Sequence, residues 1–319
     1  MNIYPIKFVP IVKDKIWGGQ RLNTLLGKNL GSLPNGGESW ELSAVKGDVS
    51  VIANGDMQGL YLTEAIAQYK EELVGRRVYA EYGDEFPLLI KFIDANDDLS
   101  IQVHPNDALA REKGYERGKT EMWYVIDSED GHLISGFKTP VASDEYESRL
   151  KNGTFIDLLA VHEVRRGDIF FIPAGRIHAI GKGVMVAEIQ QTSDVTYRVY
   201  DYDRRDANGN CRQLHVAEAK EALNFADDKS GKVDYDLQSN QRTDVVDSKY
   251  FKTGVLKVDS EMARDYSGID CFVVLICVKG CVRVDGVELK VGETALIPAA
   301  ARGVNIVPDV ESELLEVCM

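Results

Sequence analysis

The chain has 319 residues, and its 37 lysines and arginines against 51 aspartates and glutamates leave a formal net charge of −14. Such a field repels nucleic acid and anionic membranes, although a buried pocket can still attract a small anion through a few local cations. A hydrophobic fraction of 44%, with no apolar run long enough to span a bilayer, describes a soluble folded chain of one large or two medium domains.

Residues 1–10 lack the charged-then-apolar order of a signal peptide, which predicts a cytoplasmic chain. The five cysteines are odd in number and form no C-x-x-C pair, so Cys271, Cys277 and Cys281 read as buried thiols rather than a disulfide framework or zinc knuckle. Helical windows fall at 62–74, 106–113, 143–151 and 216–225, with Thr63, Asn106 and Ser143 as candidate N-caps. Everything else reads as short β-branched or aromatic runs broken by Gly, Pro, Asn and Asp, so the fold class is mainly β and a Rossmann-type alternation fits poorly. Residues 227–249 turn polar and predict a connection. The organisation expected is a domain at 1–226 with helical insertions, that connection, and a smaller β domain at 250–319.

A repeat supports two related barrels. At an offset of 125 residues, Gly167-Asp-Ile-Phe-Phe-Ile-Pro173-Ala aligns with Gly292-Glu-Thr-Ala-Leu-Ile-Pro298-Ala. The first copy continues to His178, whereas the second places Gly303 there. A histidine present in one copy only is not required by the fold, which points His178 toward chemistry.

Around Leu99–Asp107, Ile101 and Val103 alternate with Gln102 and His104, so period two puts the polar pair on one face. Glu121 opens the next apolar run and can reach the same barrel mouth. With His178 this makes two imidazoles and a carboxylate, a set suited to catalytic zinc and also acceptable to Fe, Mn, Co or Ni. His132, His162 and His215 lie in less organised contexts and read as surface or structural. Lys119, two residues before Glu121, and Arg198, within a Tyr- and Asp-rich stretch, are phosphate-binding candidates.

Several stretches then carry a resemblance: Lys15-Ile-Trp-Gly-Gly19, Gly37-Glu-Ser-Trp-Glu-Leu-Ser43, Ser100-Ile-Gln-Val-His-Pro105, Lys119-Thr-Glu-Met-Trp-Tyr124, Pro173-Ala-Gly-Arg-Ile-His-Ala179 and the run from Gln191 to Asp201. In their order they resemble the class I mannose-6-phosphate isomerases of the short bacterial type, zinc enzymes of the cupin superfamily. The resemblance implies two cupin-like jelly-roll barrels, the second without metal ligands. It also implies one zinc ion per chain on His104, Glu121 and His178, with Gln102 at the position of a fourth ligand in the longer members of the family. It further implies catalytic roles for Arg198, Glu188 and Lys119, and substrate contacts from Lys119, Arg198 and Ser100.

The implied substrate is a small phosphorylated sugar, with mannose 6-phosphate and fructose 6-phosphate interconverted through a cis-enediolate. A guanidinium stays protonated, so Arg198 suits electrostatic stabilisation, while Glu188, Lys119 or a zinc-activated water could move the proton. Two other classes compete: an Fe(II) cupin dioxygenase and a non-catalytic zinc- or sugar-binding cupin. The first gives no reason for Lys119 and Arg198, the second none for an open coordination position.

Overall fold

A computed structural model describes residues 2–206, 208–227 and 229–319. Strands carry the architecture, and four sheets pair into two barrels. The first barrel joins a seven-stranded sheet to a five-stranded one. Across the larger sheet the strands run Lys232–Val233, Ile169–Ile172, Glu121–Ser128, Val184–Gln191, Leu88–Asp94, Gly36–Leu42 and Ile11–Gly19. The smaller runs Leu159–Glu163, His132–Phe137, His178–Ile180, Ile101–Val103 and Tyr197–Tyr200.

The second barrel repeats the plan. Its seven-stranded sheet runs Arg242–Asp247, Lys252–Val258, Ser312–Cys318, Val273–Lys279, Thr294–Ile297, Ile6–Val9 and Val51–Ile52. Its four-stranded sheet runs Met262–Asp265, Gly303–Pro308, Cys281–Val284 and Val287–Lys290.

The two large sheets lie back to back. In strand Glu121–Ser128, Met122, Tyr124 and Ile126 face the second barrel, where they share one apolar core with Val274, Ile276 and Val278. Trp123 and Val125 point the other way, into the first barrel's interior, beside Phe170, Leu133 and Ile180. A strand buried on both faces loses the apolar–polar alternation that marks a half-exposed one, which is why these strands read as continuous hydrophobic runs. On the far side, helices Ser143–Lys151 and Val216–Ala222 cover the five-stranded sheet through Tyr146 and Ala219, packed with Ile101, Val103 and Phe137.

Several expectations need local correction. The window 62–74 is two helices, Leu62–Tyr69 and Glu71–Val74, because Lys70 takes a positive φ of 47° between them. Thr63 is not the cap: Tyr61 is, and the Glu64 carboxylate accepts from its backbone N–H at 2.9 Å. Asn106 does cap its helix, its Oδ1 accepting from Leu109 N, whereas the cap before Ser143 is Ala142. The last window stops at Ala222, since Leu223 is already extended, and helix Arg76–Tyr82 was not foreseen.

The predicted connection 227–249, whose residue 228 lies outside the described residues, contains strands Lys232–Val233 and Arg242–Asp247, one in each large sheet. Conversely Ile6–Val9, placed by sequence in the first domain, pairs with Thr294–Ile297 in the second barrel. Cys271 and Cys277 are buried free thiols, but Cys281 is partly exposed at the start of its strand.

The repeat is physical. Gly167 and Gly292 adopt φ of 88° and 84°, and each precedes an acid whose carboxylate accepts the backbone N–H three residues upstream: Arg165 N to Asp168, Lys290 N to Glu293. The strands that follow take equivalent places, since Ile172 pairs with Glu121 and Ile297 with Val273. Val273 therefore occupies the position of Glu121.

Candidate active site

Period two on the first barrel's large sheet does more than build a core. Trp123 pairs with Glu188, Glu188 with Lys91, and Lys91 with Trp40, so four inward side chains form one row across four strands. The Lys91 ammonium stands 3.0 Å from Glu188 Oε2, and the Trp123 indole donates to Glu188 Oε1 at 3.0 Å. Beside the row, Trp40 donates its indole N–H to Glu38 Oε2 at 2.7 Å, and Lys15 stands 3.3 Å from Glu38 Oε1.

One step toward the mouth, His104, Glu121 and His178 converge, each fully buried. The two Nε2 atoms are 3.2 Å apart, and Glu121 places Oε2 at 3.5 Å from His104 Nε2 and Oε1 at 3.4 Å from His178 Nε2. The strand order explains the meeting. His178 opens the strand that pairs with Gln102, His104 follows the same strand as Gln102, and Glu121 begins a strand of the facing sheet.

Chemically, this group suits a cation. His178 Nδ1 lies 2.8 Å from the Arg176 carbonyl, an acceptor only, so Nδ1 carries the proton and Nε2 presents its lone pair inward. Burial lowers both imidazole pKa values, His178 to about 3 and His104 well below its usual range, which keeps both neutral and able to ligate. Neither Glu121 oxygen receives a well-formed hydrogen bond, although Lys119 Nζ stands 3.0 Å from Oε2. Buried carboxylate oxygens of this kind are costly without a partner, and a divalent ion satisfies them. Burial, and then the nearby Glu188 charge, push the Glu121 carboxyl up. Glu188 goes the other way: burial would raise it, but Lys91 and Lys119 outweigh that and hold it below the carboxylate range.

Beside this group opens a cavity of about 600 Å³, lined by its neighbours Gln102, Lys119 and Trp123 and not by His104, Glu121 or His178 themselves. Ser100, Gln102, Lys119, Glu188 and Arg198 all line it, so the sequence-predicted set comes together. Arg198 Nε donates to Ser100 Oγ at 3.3 Å and Nη1 to the Gln213 carbonyl at 2.8 Å, which aims the guanidinium across the mouth. The Lys119 side chain reaches Glu121 even though the strand begins only at Glu121.

His215, read as surface or structural, is a cavity residue: its Nδ1 accepts from Arg198 N at 3.3 Å, while its own N–H donates to the Arg198 carbonyl at 2.7 Å. Lys13, Lys15, Lys91 and Arg212 also line the cavity and went unassigned. Their signal was the inward parity they share with Glu188 or the mouth, legible only once register is known.

Known proteins resemble this chain along most of its length. A sequence profile described as "Phosphomannose isomerase type I, catalytic domain" matches residues 6–139. The mannose-6-phosphate isomerase of Streptococcus mutans is 36% identical over 301 residues, 93% of each chain. Mannose-6-phosphate isomerase ManA of Bacillus subtilis is 42% identical over 226 residues, 70% of this chain and 69% of that one. Among solved structures, the mannose 6-phosphate isomerase from Bacillus subtilis superposes with a TM-score of 0.87 at 33% identity, covering 98% of this chain and 99% of that one. A His/Glu/His group able to hold a metal ion, a cation-rich cavity and similarity along most of the chain converge on one assignment: the chain belongs to the type I phosphomannose isomerases.

Proposed function

We propose that this chain interconverts mannose 6-phosphate and fructose 6-phosphate with zinc held by His104, Glu121 and His178, and Gln102 as fourth ligand. The observation that carries the reading is the buried group of two neutral imidazoles and a carboxylate, whose neighbours Gln102, Lys119 and Trp123 line a cavity rich in lysine and arginine. Gln102 supports the fourth place because it lines the cavity and pairs with His178 across the sheet. When bound, the ion supplies Lewis-acid polarisation of the sugar oxygens at C1 and C2.

The remaining chemistry belongs to side chains. Isomerisation requires removal of the C2 proton and its return at C1 through a cis-enediolate. Glu188 stays ionised at neutral pH and faces the cavity, which makes it the carboxylate available to take and return the proton, although Lys91 and Lys119 weaken it as a base. Trp123 and Lys91 fix its orientation. Arg198 remains a cation, and its charge stabilises the negative charge that develops as the C–H bond breaks. Lys119 and Ser100 bind the sugar phosphate from the same wall.

The test is mannose 6-phosphate turnover under anaerobic conditions, with chelator and then with zinc restored. Turnover without oxygen that chelation abolishes and zinc recovers is the expected result. Metal-independent or oxygen-dependent consumption overturns the proposal.

A further inference from the structure

The second barrel has lost the metal ligands, with Val273 in the place of Glu121 and Gly303 in that of His178, and its interior is filled by Leu275, Cys277, Val282 and their neighbours. Its mouth is nevertheless charged. Glu316 pairs with Leu275 and Gly254, as Glu188 pairs with Trp123 and Lys91, so one inward carboxylate survives at the equivalent position. It is 4% exposed.

Glycine at 254 removes the side chain that Lys91 supplies in the first barrel. A Cβ there would lie 2.5 Å from Arg242 Nε, so the missing side chain is the cradle across which Arg242 reaches Glu316, Nε to Oε1 at 2.8 Å. Arg264 forks onto both oxygens at 2.9 Å, and Tyr266 donates its hydroxyl to Oε2 at 2.7 Å. Two guanidiniums thus share one buried carboxylate. Arg242 also meets Asp244, but that carboxylate is 79% exposed and screened by water.

Above them lies a cavity of about 380 Å³, with Arg77 and Lys252 at its rim. Arg77 donates to the main-chain oxygen of Met319, and the lining acid Asp270 is paired with Arg76. In a chain of net charge −14, the cavity lining gathers four cations and two carboxylates, with Asp244 and Asp247 standing outside it beside Arg242 and Lys252. A mouth that needed only closure would be served by apolar side chains, whereas a buried ion cluster carries a desolvation cost and no clear gain in stability.

We propose that this cavity is a second ligand site, which binds a small phosphorylated metabolite by its phosphate on Arg242, Arg264 and Lys252. Planar guanidinium forks match phosphate oxygens, and Glu316 holds the Arg264 guanidinium in place before the ligand arrives. The volume accommodates a phosphate with a short carbon chain.

Met319 lines this cavity, whereas Met122 lies in the core between the barrels, so methyl-13C-methionine labelling of the full chain separates a local response from a general one. Titration with inorganic phosphate and with glycerol phosphate should shift the Met319 methyl resonance saturably, the ester binding more tightly if the carbon chain is recognised. Lys252→Glu, at the exposed rim, and Arg242→Gln, which leaves Glu316 forked by Arg264, should each weaken that response about tenfold or more. The KM for mannose 6-phosphate should stay unchanged in both. A Met319 resonance that does not saturate with either anion, or saturates identically in both variants, overturns the proposal.

Discussion

His178 and Arg198 separate two jobs that a loss of activity alone would merge. His178→Ala removes a lone pair from the ligand group, so bound metal and turnover should vanish together, as read by metal analysis of the purified protein. Arg198→Ala leaves His104, Glu121 and His178 intact, so metal content should stay while kcat falls about a hundredfold or more, the scale for losing one preorganised electrostatic contact. Near-normal kcat in that variant would falsify the assigned role. Lys91→Met strips the buried Glu188 carboxylate of its closest cation, and stability at pH 7 should drop by about 3 kcal/mol, measured by denaturant unfolding. The pH dependence has a definite sign. Glu188 is depressed in the folded chain, so its contribution is complete above the ordinary glutamate pKa of about 4.3 and is lost as pH falls through the lower folded value. Below about pH 4 the wild-type melting temperature should therefore fall more steeply than that of Glu188→Gln.

Lys70 shows what a short element can hide. It sits at φ 47°, ψ −121° between two helices, a conformation that favours glycine. Lys70→Gly should raise stability by about 1 kcal/mol, seen as a higher melting temperature, because it relieves that strain at an exposed joint. The joint was invisible in the sequence, where 62–74 carries one uninterrupted helical pattern. Legibility elsewhere followed the same logic. His104, Glu121 and His178 could be assembled from sequence because each stands at a strand end, His104 before Pro105 and Glu121 after Thr120, and the repeat exposed His178 by contrast with Gly303. Lys91 and Glu38 lie inside strands buried along their whole length, where neither burial nor polarity alternates cleanly and parity has no visible phase. The strand Arg242–Asp247 was missed for a related reason: its side chains sit at a sheet edge and are mostly polar, with only Val246 buried.

For the whole molecule, the decisive surface is the apolar layer between the two large sheets. It includes Phe92 and Tyr124 from one barrel and Phe272 and Ile276 from the other, and each such side chain contributes roughly 1.5–3 kcal/mol by leaving water. Polar ties cross the layer as well: the Arg166 guanidinium donates to the carbonyls of Ile126 and Val278 at 2.9 and 2.6 Å, and Tyr124 donates its hydroxyl to Glu313 at 2.8 Å. The barrels should therefore unfold in one calorimetric transition, and a fragment of residues 1–226 expressed alone should aggregate. Two resolved transitions, or a monodisperse fragment, would contradict the shared core. Among the described residues no helix is long and apolar enough to cross a membrane. The pairing of Ile6 with Leu296 reaches from the beginning of the chain almost to its end. During synthesis at about 5–20 residues per second, the first strand would wait on the order of tens of seconds for its neighbour to leave the ribosome. Throughout that interval Ile6 lacks its Leu296 partner and the part of the shared core that Phe272, Val274 and Leu296 supply, so this edge stays open to wrong pairing longer than any strand paired with a near neighbour.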